Sequence, residues 1–377
     1  MIPGDIGAEL ASAVTAAIAA GELPAGAGAR ASTAGTWRPA PPGAGGAPGT
    51  YATTLPFAMA EAAGLDAATI AALLAARVRR VSWIAAASVT GGGYLTVAVT
   101  AETLAALAVR VAQAGDGCTR SEALRGVLRS APADADLAAA ATWAQAWQQV
   151  TDLATGRLAA AAGAQVNFKT GIERPVGARP ATPAGLVGSR PEGPHGPGPA
   201  GPAGPVAAAV AFAGADAIRY ALARTRTGRA GQIDARSAVQ HVPGNSFFAV
   251  CLAAADATAT LRWAGDLGLR RGEPGGFVQG RLSMAPELDL LYGISWLPER
   301  AAGAARRCQP HEFARYLEGL AGAYLDCREH CPALPFMGRS APPDAAGVRA
   351  RLWLASAAGA ALGAGLRLLG IDPPDRM

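Results

Sequence analysis

Residues 193–224 read GPHGPGPAGPAGPVAAAVAFAGADAIRYALAR. Residues 193–204 alternate proline and glycine with little else. Proline removes a backbone donor and fixes φ, while glycine frees it, so no regular element holds there. From Pro205 on, alanine, valine and leucine take over, and a helical run begins. The junction divides the chain. Prolines at 175, 180, 183, 191, 194, 197, 199, 202 and 205 extend the punctuation backwards, so residues 171–205 read as a semi-rigid, partly extended linker. Gly196 and Gly198 break the three-residue phase that a collagen helix needs.

Downstream, Phe313, Tyr316, Leu317, Leu320 and Tyr324 follow the spacing of one helix face. Val348, Leu352, Ala355, Leu362, Leu366 and Leu369 make a second stripe, with Gly359 placed for a close helix approach. Residues 206–377 therefore read as an all-α bundle. Upstream, Ile6, Leu10, Val14 and Ile18 mark a helix, and Ile70, Leu73, Leu74, Val78 and Val81 mark another. Residues 32–50 are loop by composition. Leu95, Val97 and Val99 alternate as one face of a strand, and a third helix starts near Thr100. Residues 1–115 form a small α+β domain by this reading. Residues 116–170 read as a helical connector, which Trp143 and Trp147 anchor one turn apart.

A chain of 377 residues accommodates two or three domains at roughly 100–200 residues each. Hydrophobic residues make up 51% but aromatics only 6%, because alanine dominates. The net charge is +5, and every basic side chain except Lys169 is arginine or histidine, which suits a phosphate-bearing partner. Five scattered cysteines form no secreted-type framework, and no signal segment opens the chain. The stretch LWLASAAGAALGAGLRLLG (352–370) is broken by Arg367 and preceded by Arg349 and Arg351, so it is expected to be a buried helix rather than a membrane span. A cytoplasmic protein is the expectation.

GTYATTLPFAMAEAAG (49–64) and VTGGGYLTVAVT (89–100) resemble the additional N-terminal domain of arginyl-tRNA synthetases. GDGCTRSEALRG (115–126) is similar to that family's connector before its catalytic domain. GADAIRYAL (214–222) is one substitution from the Asp-Ala-Leu-Arg tetrapeptide of the DALR anticodon-binding bundle. QPHEFARYLEGLAGAYLDCREHC (309–331) resembles a central helix of that bundle, and LRLLGIDPPDRM (366–377) its usual ending. The resemblance implies an α-rich protein, with an α+β N-terminal domain followed by an all-α DALR-type bundle. It also implies RNA contact at Tyr51, Thr53, Thr54, Gly93 and Tyr94 in the first domain, and at Asn245, Phe248, Arg262 and Arg315 in the second. The implied partner is tRNA, arginine tRNA first.

The middle departs from the family. A class I synthetase needs a His-x-Gly-His motif at a helix start to bind ATP, and a mobile lysine loop to stabilise the transferring phosphate. Between Arg129 and Ala215 the only histidine, His195, lies in the Pro-Gly run, and Lys169 sits in NFKTG. No catalytic residue and no cofactor are expected. NSFFAVCLAAAD (245–256) also departs: the family's Gln, second aromatic, His and Arg positions hold Cys251, Leu252, Ala254 and Asp256. Asp256 is expected to repel phosphate.

Other constellations carry less. Cys308 with His311, and Cys327 with Cys331 and His330, lack the paired short spacing of zinc sites, so no metal is expected. Ser246, His241 and Asp256 lack a nucleophile elbow. TGGGY (90–94) lacks the Lys-Ser/Thr of a P-loop. Arg79-Arg80 and Arg270-Arg271 read as solvated surface. The resulting expectation is a non-catalytic synthetase paralogue that holds or presents tRNA. A protein scaffold that lost RNA, or the partner subunit of an aminoacyl-tRNA-dependent enzyme whose second chain supplies catalysis, are the alternatives. A true ligase is disfavoured by the missing motifs.

Overall fold

The computed structural model describes residues 2–31, 37–39, 47–169, 204–226, 233–242, 244–334 and 344–377. The linker expected at 171–205 lies outside the described residues, save for Gly204 and Pro205.

The first unit runs α1 (Ile2–Ala19), α2 (Gly26–Ala31), β1 (Trp37–Pro39), β2 (Thr50–Thr53), α3 (Leu55–Ala63), α4 (Ala67–Val78), β3 (Ile84–Thr90), β4 (Tyr94–Val99) and α5 (Ala101–Ala114). Its strands form an antiparallel sheet in the order β1-β2-β4-β3, with Tyr51 opposite Val97 and Thr53 opposite Leu95. The stripe Ile6, Leu10 and Val14 is buried, as are Leu95, Val97 and Val99. Thr100 caps α5 by accepting the Thr103 N–H, which satisfies one orphan donor of the first turn. Trp37–Pro39, inside a stretch read as loop, pairs with β2; an edge strand of three residues ending in proline carries too little pattern to stand out.

Residues 116–170 are more than a helical connector. A 3-10 turn (Gly115–Thr119) leads to β5 (Leu128–Pro132), α6 (Trp143–Ala161) and β6 (Gln165–Lys169), and β5 and β6 pair in parallel. Parallel strands need a crossover, and α6 supplies it. The two strands escaped the sequence reading because each has five residues amid alanine, with no clean alternation of apolar and polar. Ala131 and its register partner Phe168 face α6: a Cβ placed on Gly156 would lie 2.3 Å from the Ala131 Cβ and 3.3 Å from the Phe168 ring. The opposite face, Leu128, Ser130 and Pro132 with Gln165, Asn167 and Lys169, is open to solvent or half-buried. Gly156→Ala is therefore expected to destabilise by about 1–3 kcal/mol through overpacking. Gly319→Ala, with nothing within 4 Å of the new Cβ, is expected to stabilise by about 0.5–1 kcal/mol through helix propensity. Urea midpoints of the two variants give the comparison.

The C-terminal unit comprises α7 (Pro205–Ala213), α8 (Ala215–Arg224), α9 (Ala235–Ala238), α10 (Ser246–Asp266), α11 (Ala285–Ser295), α12 (Leu297–Arg307), α13 (Pro310–His330) and α14 (Ala345–Leu368). Phe313, Leu317, Leu320 and Tyr324 turn inward, as do Leu352, Leu362 and Leu366. The tightest helix approach falls at Gly365, where an added Cβ would lie 2.4 Å from Leu317, rather than at Gly359, where 3.4 Å remains to Ala257.

One buried cluster joins both units. α5 packs on α11 and α14, and α6 packs on α8 and α12. Tyr51 sits between Tyr292 and Trp296, at ring-centroid distances of 5.3 and 5.2 Å, and donates its hydroxyl to Ser295 Oγ at 2.8 Å. The Tyr292 hydroxyl returns a bond to the Thr50 carbonyl at 2.8 Å. Asp116 pairs with Arg367 of α14 at 2.7 Å.

The Asp216-Ala-Ile-Arg219 tetrapeptide is a second junction. Arg219 pairs with Asp216 at 2.7 Å and approaches Asp134, in the β5–α6 loop, at 3.9 Å. Burial pushes the Asp216 carboxyl up, against the opposing pull of Arg219. Arg157 of α6 donates to the Arg367 carbonyl, and Trp147 Nε1 donates to the Thr225 carbonyl at 3.1 Å. Trp147 thus anchors α6 on the end of α8.

Candidate nucleic-acid interface

The glycine turn that joins β3 to β4 fixes the first patch. Gly91, Gly92 and Gly93 have φ of 52°, 74° and 137°, and a Cβ on Gly93 would lie 2.7 Å from the Ala67 Cβ. Only glycine meets both demands. Gly93 is buried, so it shapes the turn rather than meeting a ligand. Tyr94, next in sequence, is half-buried and packs edge-on against Phe57 at 5.0 Å, with Phe57 42% exposed. A partly exposed aromatic pair of this kind offers a base-stacking platform, worth about 1–3 kcal/mol per base. Thr54 is half-buried at the start of α3. Should RNA bind at this face, Phe57→Ala weakens that binding by about tenfold with little loss of stability, measured by filter binding and urea midpoint.

Tyr51 and Thr53 require correction. Both are buried, at 0% and 1% exposure, and Tyr51 belongs to the junction with Tyr292 and Trp296. Neither can touch RNA in this fold. Thr53 Oγ1 accepts the Leu55 N–H at the start of α3.

α10 carries the second patch. Asn245 caps it by accepting the Phe247 and Phe248 N–H groups, and its amide donates to the Ala238 and Gln240 carbonyls. Its side chain is thus committed to the loop before the helix. Phe248 stacks on His241 at 5.0 Å with an interplanar angle of 14°. Further along, Leu252, Asp256, Arg262, Trp263, Asp266 and Arg376 border a mixed polar and apolar concavity of about 650 Å³ that reaches the C-terminal residues. Arg262 holds that tail by donating to the Asp375 carbonyl at 2.8 Å. Arg315 is exposed on α13 and does not border this concavity; with burial, its charge holds His311 below the usual histidine range.

The departures noted in α10 divide by geometry. Cys251 and Ala254 are buried, at 2% and 3% exposure, so they bear on packing and not on recognition. Asp256 is not a free negative charge. Arg328 Nε lies 2.8 Å from it and the Tyr324 hydroxyl donates to it at 2.9 Å. The repulsion expected of Asp256 is therefore largely neutralised within the fold. Phe57 and Trp263, the latter 47% exposed, were missed in sequence because each sits in a helix whose apolar residues read as core.

By length and composition α10 is apolar enough to cross a membrane, but half of its apolar window is buried inside the fold. Arg271 is engaged rather than solvated: it lies 4.4 Å above the Trp353 ring and donates to Ser356. Burial pushes the Cys118 and Cys251 thiols up to about 12, which marks them as inert packing groups. Cys308 is exposed, and Arg129 donates to its sulfur at 3.3 Å. Among the described residues no three His, Cys, Asp or Glu side chains converge on a metal position.

The turn between β5 and α6 is the place where a nucleotide-binding βαβ unit presents free N–H groups to phosphate. Here Thr142 accepts the Gln145 N–H, and Gln145 accepts the Ala141 N–H. Asp134 and Asp136 in the same turn accept the Ala135 and Ala139 N–H groups. The Gln145 N–H of the first turn of α6 is thus capped, and the loop that leads to it carries two carboxylates, each turned back on its own backbone.

Comparison with known proteins agrees with this architecture. Residues 275–377 match the DALR anticodon binding domain. The arginine–tRNA ligase of Paenarthrobacter aurescens is 35% identical over 168 residues, 45% of this chain and 30% of that protein. That of Pseudarthrobacter chlorophenolicus is 36% identical over 166 residues, 44% and 29% of the two. The chain thus spans less than a third of the length of these curated relatives. The arginyl-tRNA synthetase of Thermus thermophilus superposes over the whole of both chains with a TM-score of 0.61 at 15% identity, a likeness of fold. The chain carries an arginyl-tRNA synthetase-related DALR anticodon-binding domain at its C-terminal end, within a fold that resembles that of an arginyl-tRNA synthetase.

Proposed function

We propose that this protein is a non-catalytic relative of the arginyl-tRNA synthetases that binds tRNA, arginine tRNA foremost, and presents it to a separate enzyme in the cytoplasm. The observation that carries the reading is the β5–α6–β6 unit. A parallel pair inside a doubly wound sheet is covered on both faces and reads apolar on both. Here the outward face holds Leu128, Ser130, Pro132, Gln165, Asn167 and Lys169, a mostly polar set with one exposed leucine rather than the apolar run of a covered strand pair. The carboxylates Asp134 and Asp136 in the loop before α6 add negative charge to the adjoining turn, which disfavours a polyphosphate there. The aromatic pair Phe57–Tyr94 and the concavity at Arg262 supply surfaces suited to RNA, and the net charge of +5 favours a polyanion.

Filter binding against arginine tRNA and bulk tRNA over a salt series tests the reading, with an arginylation assay run alongside. The expected result is preferential binding of arginine tRNA, log affinity falling with log salt at a slope of about −0.9 per neutralised phosphate, and no arginylation. Arginylation above the enzyme-free blank would overturn the non-catalytic part. No binding at low salt would overturn the RNA part and favour a protein partner, for which the exposed Trp263, Leu267 and Met377 offer one apolar surface.

A further inference from the structure

Between α10, α13 and α14 lies a half-open cleft of about 210 Å³, with Trp263 and Leu267 at its mouth. Its charged and polar wall groups are already engaged. Arg328 and the Tyr324 hydroxyl meet Asp256. Arg351 donates to the buried Glu287 at 2.7 Å and to the Pro332 carbonyl at 3.2 Å. Thr260 bonds the Tyr324 hydroxyl, and apart from the Trp263 indole the rest of the wall is chiefly hydrocarbon and sulfur from Leu290, Leu354, Ala355, Cys327 and Cys331. Such a cleft gives an ion no uncompensated charge and gives water few partners.

We infer that this cleft binds an uncharged aromatic molecule of about the size of one bicyclic ring. Size follows from volume, since an apolar cavity of about 150 Å³ holds benzene. Aromatic character follows from the wall. Trp263 presents a half-exposed ring, and two sulfurs, which contact ring edges favourably, line the same cleft. Neither the proposed RNA role nor the comparisons assign a ligand here.

Calorimetric titration of the full-length protein with indole tests the inference. The expected result is one saturable site at roughly millimolar affinity or tighter, the range open to a ligand of so few atoms. Ala355→Phe, which fills the cleft, is expected to weaken binding at least tenfold. Leu267→Arg alters only the exposed mouth and is expected to weaken it as well, which keeps the test decisive should the filled variant fail to fold. No saturable binding up to the solubility of indole would overturn the inference, as would equal binding by a folded Ala355→Phe protein. Repeating the titration with tRNA present separates the two sources of such a ring. Unchanged affinity assigns the cleft to a free small molecule, and competitive loss assigns it to an unstacked base of the RNA.

Discussion

Tyr51→Ala is expected to cost about 3–5 kcal/mol of unfolding free energy, the range for removing a large buried aromatic side chain. The side chain is fully buried between Tyr292 and Trp296, and it is the aromatic contact through which β2 meets α11. Tyr51→Phe keeps the ring and loses only the bond to Ser295, so about 1 kcal/mol is expected. Urea unfolding of the three proteins checks the order, and tRNA binding measured on the same samples separates the roles. A base-stacking Tyr51 would lose affinity on truncation with stability intact. If Tyr51→Ala stays within about 1 kcal/mol of wild type, the junction described here does not hold the two units together.

The second large effect is at Arg351. Its Nε donates to Glu287 Oε1 at 2.7 Å, and Glu287 has no exposed surface. Glu287 Oε2 accepts the Ser283 and Met284 N–H groups at 2.9 and 3.0 Å, closing the start of α11. Arg351→Ala leaves a buried carboxylate without its counter-charge, which costs about 3–5 kcal/mol. Replacing both partners, Arg351→Met with Glu287→Gln, removes the charge while keeping an acceptor for the two N–H groups. That double variant is expected to recover most of the loss. Thermal unfolding of the single and double variants measures the difference, and a double variant as unstable as Arg351→Ala would refute the charge-burial account.

The sequence was readable where one face of an element differs strongly from the other. Ile6, Leu10 and Val14 announce α1, Thr100 announces the start of α5, and Phe313 to Tyr324 announce the inward face of α13, because each signal is local. β5 and β6 were illegible since five residues amid alanine carry almost no contrast. Tyr51 was misplaced for a different reason. Its partners, Ser295 and Tyr292, lie more than two hundred residues away, and no local pattern tells a buried tyrosine from an exposed one. Asp256 is the same case: its sign is plain from sequence, but the neutralising Arg328 is a property of how α10 meets α13.

Among the described residues one large core runs from Ile2 to Ile371, drawing on both sides of residues 170–203. The continuity of this molecule is therefore spatial before it is covalent. Produced as two chains, 1–170 and 204–377, the halves are expected to copurify as a tight heterodimer with the unfolding behaviour of the intact protein. Two surfaces already clasped together do not depend on the peptide between them for their contact with one another. That is the condition under which a lineage can exchange what lies between two ends and keep both ends working.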